Sequence, residues 1–423
     1  MARLLRGEFY YGWVVVAVTA LTLIVSAGIR SAPGVMLLPL QAETGWSLSV
    51  ISFSVSLGLL LFGFSGPFGG ALMDRFGPRR LMIAGLALVG VALIASARMA
   101  AIWQLYLFWG ALSGMGTGLM ASVLGATVAS RWFVARRGLV VGIFGAATSA
   151  GQLIFVPLLM QWVLSLGWRT TLLLLAGVMA LLLAPILLWM RDDPAEVGLR
   201  PYGAAPQPAG PATAPAEPQE GTVAVMGRAV RTSEFWLLAG TFFVCGVSSN
   251  GLVGTHLIPY AVDCGIAAGT AAGMLALMGL MNFVGTIGSG WLTDRYDPRR
   301  LLAIYYSFRG LSLLLLPAIT TPVGLGFFAV LFGLDYIATV PPTVSLTADT
   351  FGRRHVGTVF GWVFCAHQIG AALAAWVGGV VRETAGDYAL AFIAAGVLAG
   401  MAGMLALRIR RQPIAAPVVP AAA

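Results

Sequence analysis

GALMDRFGPRR at residues 70–80 returns 220 positions later as GWLTDRYDPRR at residues 290–300, so that Gly70, Asp74, Arg75, Arg79 and Arg80 are matched by Gly290, Asp294, Arg295, Arg299 and Arg300. Each copy joins the second and third apolar run of its half, which makes the chain two halves built on one plan. In each copy the glycine lets one helix end approach a neighbour. The aspartate and arginines sit at helix ends, where they can cap backbone groups and form ion pairs that latch one conformation. A loop that only records topology would not need the same residues in both halves.

The runs around these loops are long enough to span a bilayer, which takes about 20 apolar residues. Six precede a proline-rich stretch, at 13–40, 47–72, 80–99, 102–130, 137–164 and 168–190, and six follow it, at 233–260, 268–292, 300–319, 322–349, 355–381 and 386–408. The 423 residues are 59% hydrophobic and 10% charged, with a mean hydropathy of +0.89. A water-soluble globule carries about a quarter charged residues, so these proportions exclude one. The fold expected is an all-α membrane protein of 12 transmembrane helices in two pseudo-symmetric six-helix bundles. Its parts are an N-terminal bundle at 1–190, a cytoplasmic Pro-rich linker at 191–231, a C-terminal bundle at 232–410 and a cytoplasmic tail at 411–423. Prolines at 194, 201, 206, 208, 211, 215 and 218 make the linker read as mostly disordered. The first run is longer than a signal-peptide core and carries Arg30, so it reads as an uncleaved span.

The chain has no lysine; all 25 basic residues are arginine. That removes Schiff-base chemistry and the phosphate lysine of a P-loop. Three cysteines and three histidines fit no disulfide or zinc spacing, so no metal, no cofactor and no enzymatic reaction are expected. A pI near 10.0 would suggest nucleic acid in a soluble chain. Here the arginines lie between apolar runs and report orientation, and no nucleic-acid partner is expected. Twenty of them fall on one side of the span pattern and only Arg98, Arg169 and Arg382 on the other. By the positive-inside rule both termini are cytoplasmic and the protein is a multi-pass component of the cytoplasmic (inner) membrane.

The repeated loop resembles the signature loop between helices 2 and 3 of the major facilitator superfamily, degenerate in the second half as here. Gly12, Trp13, Val14 and Val15 opening span 1, and Trp132, Phe133, Arg136, Arg137, Leu139, Gly142 and Gly151 leading into span 5, are similar to the bacterial monocarboxylate-transporter-like branch. The resemblance implies alternating access around a midplane site lined by spans 1, 4, 7 and 10. In that branch a polar or acidic residue on helix 8 is followed one turn later by an arginine that binds the substrate carboxylate and couples it to a proton. Asn282 and Thr286 stand at these positions, so the arginine is missing.

Charged groups inside a span cost several kcal/mol on even the lenient scale and usually face a cavity or a partner. Arg30, past the middle of span 1, is the first choice for gripping an anionic substrate, since a guanidinium binds a carboxylate bidentately and keeps its charge. Snorkelling to the headgroups or a structural pair is the other reading. Gly28, Ser31, Pro33 and Gly34 around it suggest a loosened helix. Asp335 is the sole acid deep in a span; it either carries a coupled proton or forms a static pair with Arg309 at similar depth on span 9. His367, mid-span on helix 11, is the second proton candidate. With Gln368, Asn250, Asn282 and Tyr336 it also joins Arg30 as a substrate-binding candidate. Gly114, Gly116 and Gly118 read as close-packing glycines, since no strand precedes them.

The function expected is secondary active transport of a small organic anion, a monocarboxylate, by alternating access with proton symport. The partners are that substrate, protons and the lipid bilayer, and the protein is a monomer. Export of lipophilic compounds, anion exchange without protons and a transporter-like receptor are the alternatives.

Overall fold

The structure, a computed structural model, describes residues 10–120, 122–204, 222–352 and 356–410. Among the described residues eleven helices are long and apolar enough to cross a membrane. The longest, Leu139–Trp189, reverses at Gly167, where φ 79° and ψ 160° end one helix and begin another, a backbone that glycine adopts without a Cβ clash. This agrees with the twelve spans expected. They are α1 Gly12–Thr44, α2 Leu48–Phe76, α3 Pro78–Ser96, α4 Ile102–Trp132, α5 137–166, α6 168–189, α7 Ser233–Asp263, α8 Ala268–Thr293, α9 Pro298–Ala318, α10 Pro322–Phe351, α11 Val356–Ala385 and α12 Ala389–Ala406.

Short polar signals set the helix starts. Ser47, Thr232 and Thr321 accept hydrogen bonds from Val50, Phe235 and Gly324 N–H at 3.3, 3.4 and 3.2 Å, and prolines open α3, α9 and α10. The helices are apolar nearly all round. Leu181, Val323 and Phe327 stand outward as on a lipid-facing surface, while Val15, Leu86 and Leu275 pack inside. Loops alternate between two faces. One carries the arginine-rich turns and both described chain ends, and is called the basic face below; the other is the opposite face.

Segment 191–231, expected to be mostly disordered, is ordered at both described ends. Tyr202 N–H donates to Trp132 O at 2.8 Å, and Tyr202 O accepts from Val134 and Ala135 N–H, both at 3.0 Å. The Tyr10 hydroxyl donates to Trp132 O and Arg200 O, each at 2.9 Å. Burial pushes its pKa up to about 12, so it remains a donor. Beyond residues 205–221, which lie outside the description, a short helix at Thr222–Ala229 leads into α7. Proline density alone missed these anchors because they are single backbone and aromatic contacts.

The repeat is asymmetric in how it caps its third helices. Asp297 caps α9 from its own turn, accepting from Arg299 N–H at 3.0 Å. The matching position in the first half, 220 residues earlier, is Gly77. There the carboxylate comes from Asp192 beyond α6, which accepts from Arg79 N–H at 2.6 Å.

A break in regular helix lies in α10. Regular winding stops at Asp335 and resumes at Val340. Pro341 and Pro342 lack the N–H groups that would bond the carbonyls of Ile337 and Ala338. Val340 N–H turns to Ile337 O at 2.9 Å, leaving Tyr336 O free. Neighbouring helices satisfy what the break exposes. Ser289 of α8 donates to Ala338 O at 2.5 Å, and Asn282 Oδ1 accepts from Ile337 N–H at 3.1 Å. Arg309 of α9, fully buried, spends its whole donor set here. Nε donates to Asp335 Oδ2 at 2.7 Å, Nη2 to Asp335 O at 2.5 Å and Tyr336 O at 3.2 Å, and Nη1 to Cys245 Sγ at 2.9 Å and Ser248 Oγ at 3.4 Å. Five N–H groups meet five acceptors.

Removing one member of a buried ion pair costs about 3–5 kcal/mol, because the other charge stays behind unpaired. Asp335→Asn should therefore lower the thermal unfolding midpoint of the purified protein sharply. The double variant Asp335→Asn with Arg309→Gln should recover only part of the loss, since the Tyr336 carbonyl loses its donor and the carbonyl at 335 keeps only Ala338 N–H at 3.3 Å. Equal midpoints for the wild type and Asp335→Asn would remove the clamp from the account of the fold.

Candidate functional site

Arg30 lies a little past the middle of α1, at about 1.5 Å of rise per residue. Its side chain is exposed, while Ile29 and Ala32 beside it are 3% and 0% exposed. It snorkels to no ion pair among the described residues. The guanidinium carbon stands 5.0 Å from the centre of the Phe62 ring of α2, and the Tyr336 hydroxyl of α10 is near enough to interact electrostatically. No acceptor among the described residues takes its N–H groups. At similar depth Asp335, the one deep carboxylate, is already held by Arg309.

Around Arg30 the helices are irregular. α7 widens into a π-helical turn over Val247–Val253, and the Thr255 hydroxyl after it donates to Asn250 O at 3.1 Å; such turns recur at functional sites. The bulge carries Asn250, whose Oδ1 accepts from the Tyr336 hydroxyl at 2.9 Å. The break in α10 and the bulge in α7 thus bring Tyr336 and Asn250 together beside Arg30.

Asn282 and Thr286 of α8, the positions without the expected arginine, bond each other at 3.2 Å. Asn282 is 1% exposed, and its Nδ2 donates across to Ser149 of α5 at 3.3 Å. It holds the α10 break and joins the bundles, so its hydrogen-bonding capacity is used structurally. His367 packs parallel to Phe364 with 5.7 Å between ring centres, and its Nδ1 lies 3.2 Å from Gln368 Oε1. Gln368 is itself 1% exposed, against Gly63 of α2. The structure therefore groups Arg30, Tyr336 and Asn250, and sets Asn282, Gln368 and the Arg309–Asp335 pair into the surrounding frame.

The bundles meet from mid-depth to the opposite face. Ser49 N–H, in the first turn of α2, donates to Glu383 Oε1 of α11 at 2.8 Å. Gly379 sits so close to α2 that an added Cβ would lie 2.7 Å from Ser52 Oγ, and one on Gly34 would lie 2.8 Å from Gly254 O. Phe53 and Trp376 meet edge to face at 5.8 Å. These contacts close the opposite face.

The expected latch loops lie on the basic face. The side chain of Asp74 and the surroundings of Gly70 are outside the described structure. Arg79 is tied to Asp192 and, through Nη2, to Leu187 O at 2.6 Å; Arg75 lies over Phe76, and Arg80 is exposed. In the second copy Gly290 has open space where a Cβ would stand, and Arg295 folds back over Trp291. Asp294 is exposed, with no ion pair among the described residues.

Reading by depth and charge missed Phe62, Phe364 and Glu383. The two rings were hidden among 22 phenylalanines, and Glu383 lies at a helix end, where a carboxylate is ordinary. Pro341–Pro342 was the one signal that could have placed the break.

The sequence family described as the Major Facilitator Superfamily matches residues 19–375 and 290–423. An uncharacterized MFS-type transporter, YcxA of Bacillus subtilis (strain 168), is 26% identical over 405 residues, covering 93% of this chain and 94% of its own. Monocarboxylate transporter 13 of Bos taurus is 28% identical over 405 residues, covering 94% and 89%. The fold is similar to the crystal structure of a D-xylose-proton symporter, with a TM-score of 0.75 at 15% identity over 95% of this chain and 98% of that one. A bacterial homolog of the human lysosomal transporter Spinster, in an inward-facing and unoccupied conformation, gives 0.74 at 15% identity over 95% and 98%. Two repeated six-helix bundles around a mid-depth site and a family match across most of the chain lead to one conclusion: this chain belongs to the Major Facilitator Superfamily, the transporters.

Proposed function

We propose that the chain carries a small organic anion, a monocarboxylate, across the cytoplasmic membrane by alternating access with proton symport. The observation that carries this reading is Arg30, a guanidinium at mid-depth with no acceptor among the described residues, at the depth of a carboxylate whose Oδ2 is already held by Arg309. A charge kept at that depth without a partner is costly, and a carboxylate offers it a bidentate match. The similarity to monocarboxylate transporters points the same way. With the opposite face closed, the anion reaches Arg30 from the basic side, which the arginine distribution makes cytoplasmic.

Tyr336 and Asn250 would flank the bound anion, and the Arg309 clamp would keep Tyr336 in place. Coupling is assigned to His367, because Asp335 accepts from a guanidinium that never deprotonates. Carriage to the other side requires the Ser49–Glu383 bond to open. The repeated loops would then close the basic face. Monomeric units suffice for this cycle.

Hydrogen bonds to a charged group are worth about 1.5–3 kcal/mol, so losing one weakens binding roughly ten- to a hundredfold. Arg30→Lys should lose that much affinity for organic acids and Arg30→Ala more. Unchanged binding in both would remove Arg30 from the site and favour export of lipophilic compounds.

Glu383→Ala should loosen the opposite face. Hydrogen–deuterium exchange in the first turn of α2 should then speed up, with the rest of α2 unaffected. Wild-type exchange there would place the closure elsewhere.

His367→Gln should retain counterflow exchange and lose accumulation driven by a proton gradient. Retained uphill uptake would rule out this proton site; if uphill uptake failed only in a folded Asp335→Asn variant, the role would return to Asp335.

A further inference from the structure

Resting on that reading, we infer that the transported acid is a monoanion with a flat apolar body, an aryl or arylalkyl carboxylate, and that Phe62 and Phe364 select it. The number of charges follows from the cations available at mid-depth. Arg309 is fully buried and has given all five of its N–H groups to Asp335, Tyr336, Cys245 and Ser248. Arg30 is left to neutralise a ligand, and one guanidinium balances one carboxylate. A dianion would hold its second charge at membrane depth opposite no permanent cation, with only the transient charge of a protonated His367 to meet it.

The shape of the body follows from what stands beside Arg30. Its guanidinium carbon lies 5.0 Å from the centre of the Phe62 ring, a neighbour that attracts the cation without accepting its N–H groups, which stay available to a carboxylate. A carboxylate bound on that edge directs its substituent away from the cation, along the wall where the rings lie. Phe62 meets Phe364 at 6.2 Å between centres, with the planes at 61°, and the parallel His367 ring continues the wall. Tyr336, with Phe332 behind it at 6.0 Å, stands nearby on α10. Phe62, 4% exposed, belongs to one bundle and Phe364, half-buried, to the other, so a flat body against the open edge of this pair would lie at the seam of the two halves that must move. Of the polar groups nearby, Asn250 has its Oδ1 taken by Tyr336, and His367 has its Nδ1 against Gln368 Oε1. A short aliphatic hydroxy acid would reach the same cation but leave the rings unused, whereas ring-on-ring contacts add to simple area burial.

Calorimetry and thermal shift of the purified full chain test this with phenylacetate, acetate, lactate, succinate, phenylacetamide and phenethylamine as probes. Phenylacetate should bind at least tenfold more tightly than acetate, lactate or succinate, and the amide and amine should not bind. Phe62→Leu and Phe364→Leu, with unfolding midpoints near that of the wild type, should reduce the preference for phenylacetate over acetate to within about threefold. Arg30→Ala should abolish binding of both acids. Equal binding of acetate and phenylacetate, or a preference that survives both leucine variants, overturns the aromatic selection and leaves the organic-anion reading intact. Binding of the amide or amine as tight as that of the acid, or of no acid at all, overturns both.

Discussion

The α10 wall of the second bundle depends on Arg309 holding the break in that helix. Two adjacent prolines remove donors from the middle of a membrane helix, where no water can replace them. Val340 N–H and the Ser289 hydroxyl take the two carbonyls that the prolines orphan, Ile337 and Ala338, and the planar fork of Arg309 takes those of Asp335 and Tyr336 just before them. Lysine could not do this: three donors on one flexible nitrogen cannot reach a carboxylate, two carbonyls, a thiol and a hydroxyl together. Asp335 then has a plain purpose, to offset the charge of the fork. The cost of burying an ion pair is met by a backbone that would otherwise have no place in a bilayer.

The clamp also shapes the pathway by subtraction. Because one deep arginine and the one deep carboxylate neutralise each other, Arg30 keeps its charge unmatched among the described residues. Its position beside Tyr336 follows from where the break directs α10, and Asn250 comes to meet Tyr336 because α7 gains a residue in its π-helical turn. Two backbone irregularities, one on each of two helices, thus converge on one side chain from the other bundle. Such a site is assembled only while the bundles are in contact at mid-depth.

Much of the architecture could be read from residue order. The apolar runs set the spans to within a few residues because a bilayer demands length and apolarity, and the 220-residue repeat set the symmetry. Arg30, Arg309 and Asp335 stood out because charge at depth is rare. Whether Asp335 titrates or braces could not be read, since three of the acceptors that occupy Arg309 are two backbone carbonyls and a sulfur whose positions depend on the break. Asn282 looked like a lining group and serves as a bracket, because its partners Ile337 and Ser149 come from distant segments. Glu383 escaped notice for the opposite reason: its chemistry is commonplace at a helix end, and only the neighbouring bundle gives it a task. The linker was misjudged where a few aromatic and backbone contacts outweighed its prolines.

The unequal capping of α3 and α9 bears on the order in which the chain acquires its structure. Asp297 is two residues from the amide it caps, so the start of α9 is complete as soon as it is made. The start of α3 waits for Asp192, 113 residues later. At roughly 5–20 residues per second of synthesis, that leaves the helix without its cap for roughly 6 to 23 s, until the sixth span has followed it out of the ribosome. The first bundle therefore receives its final fastening from a residue just past its own last helix, and the third helix of the second has no such delay.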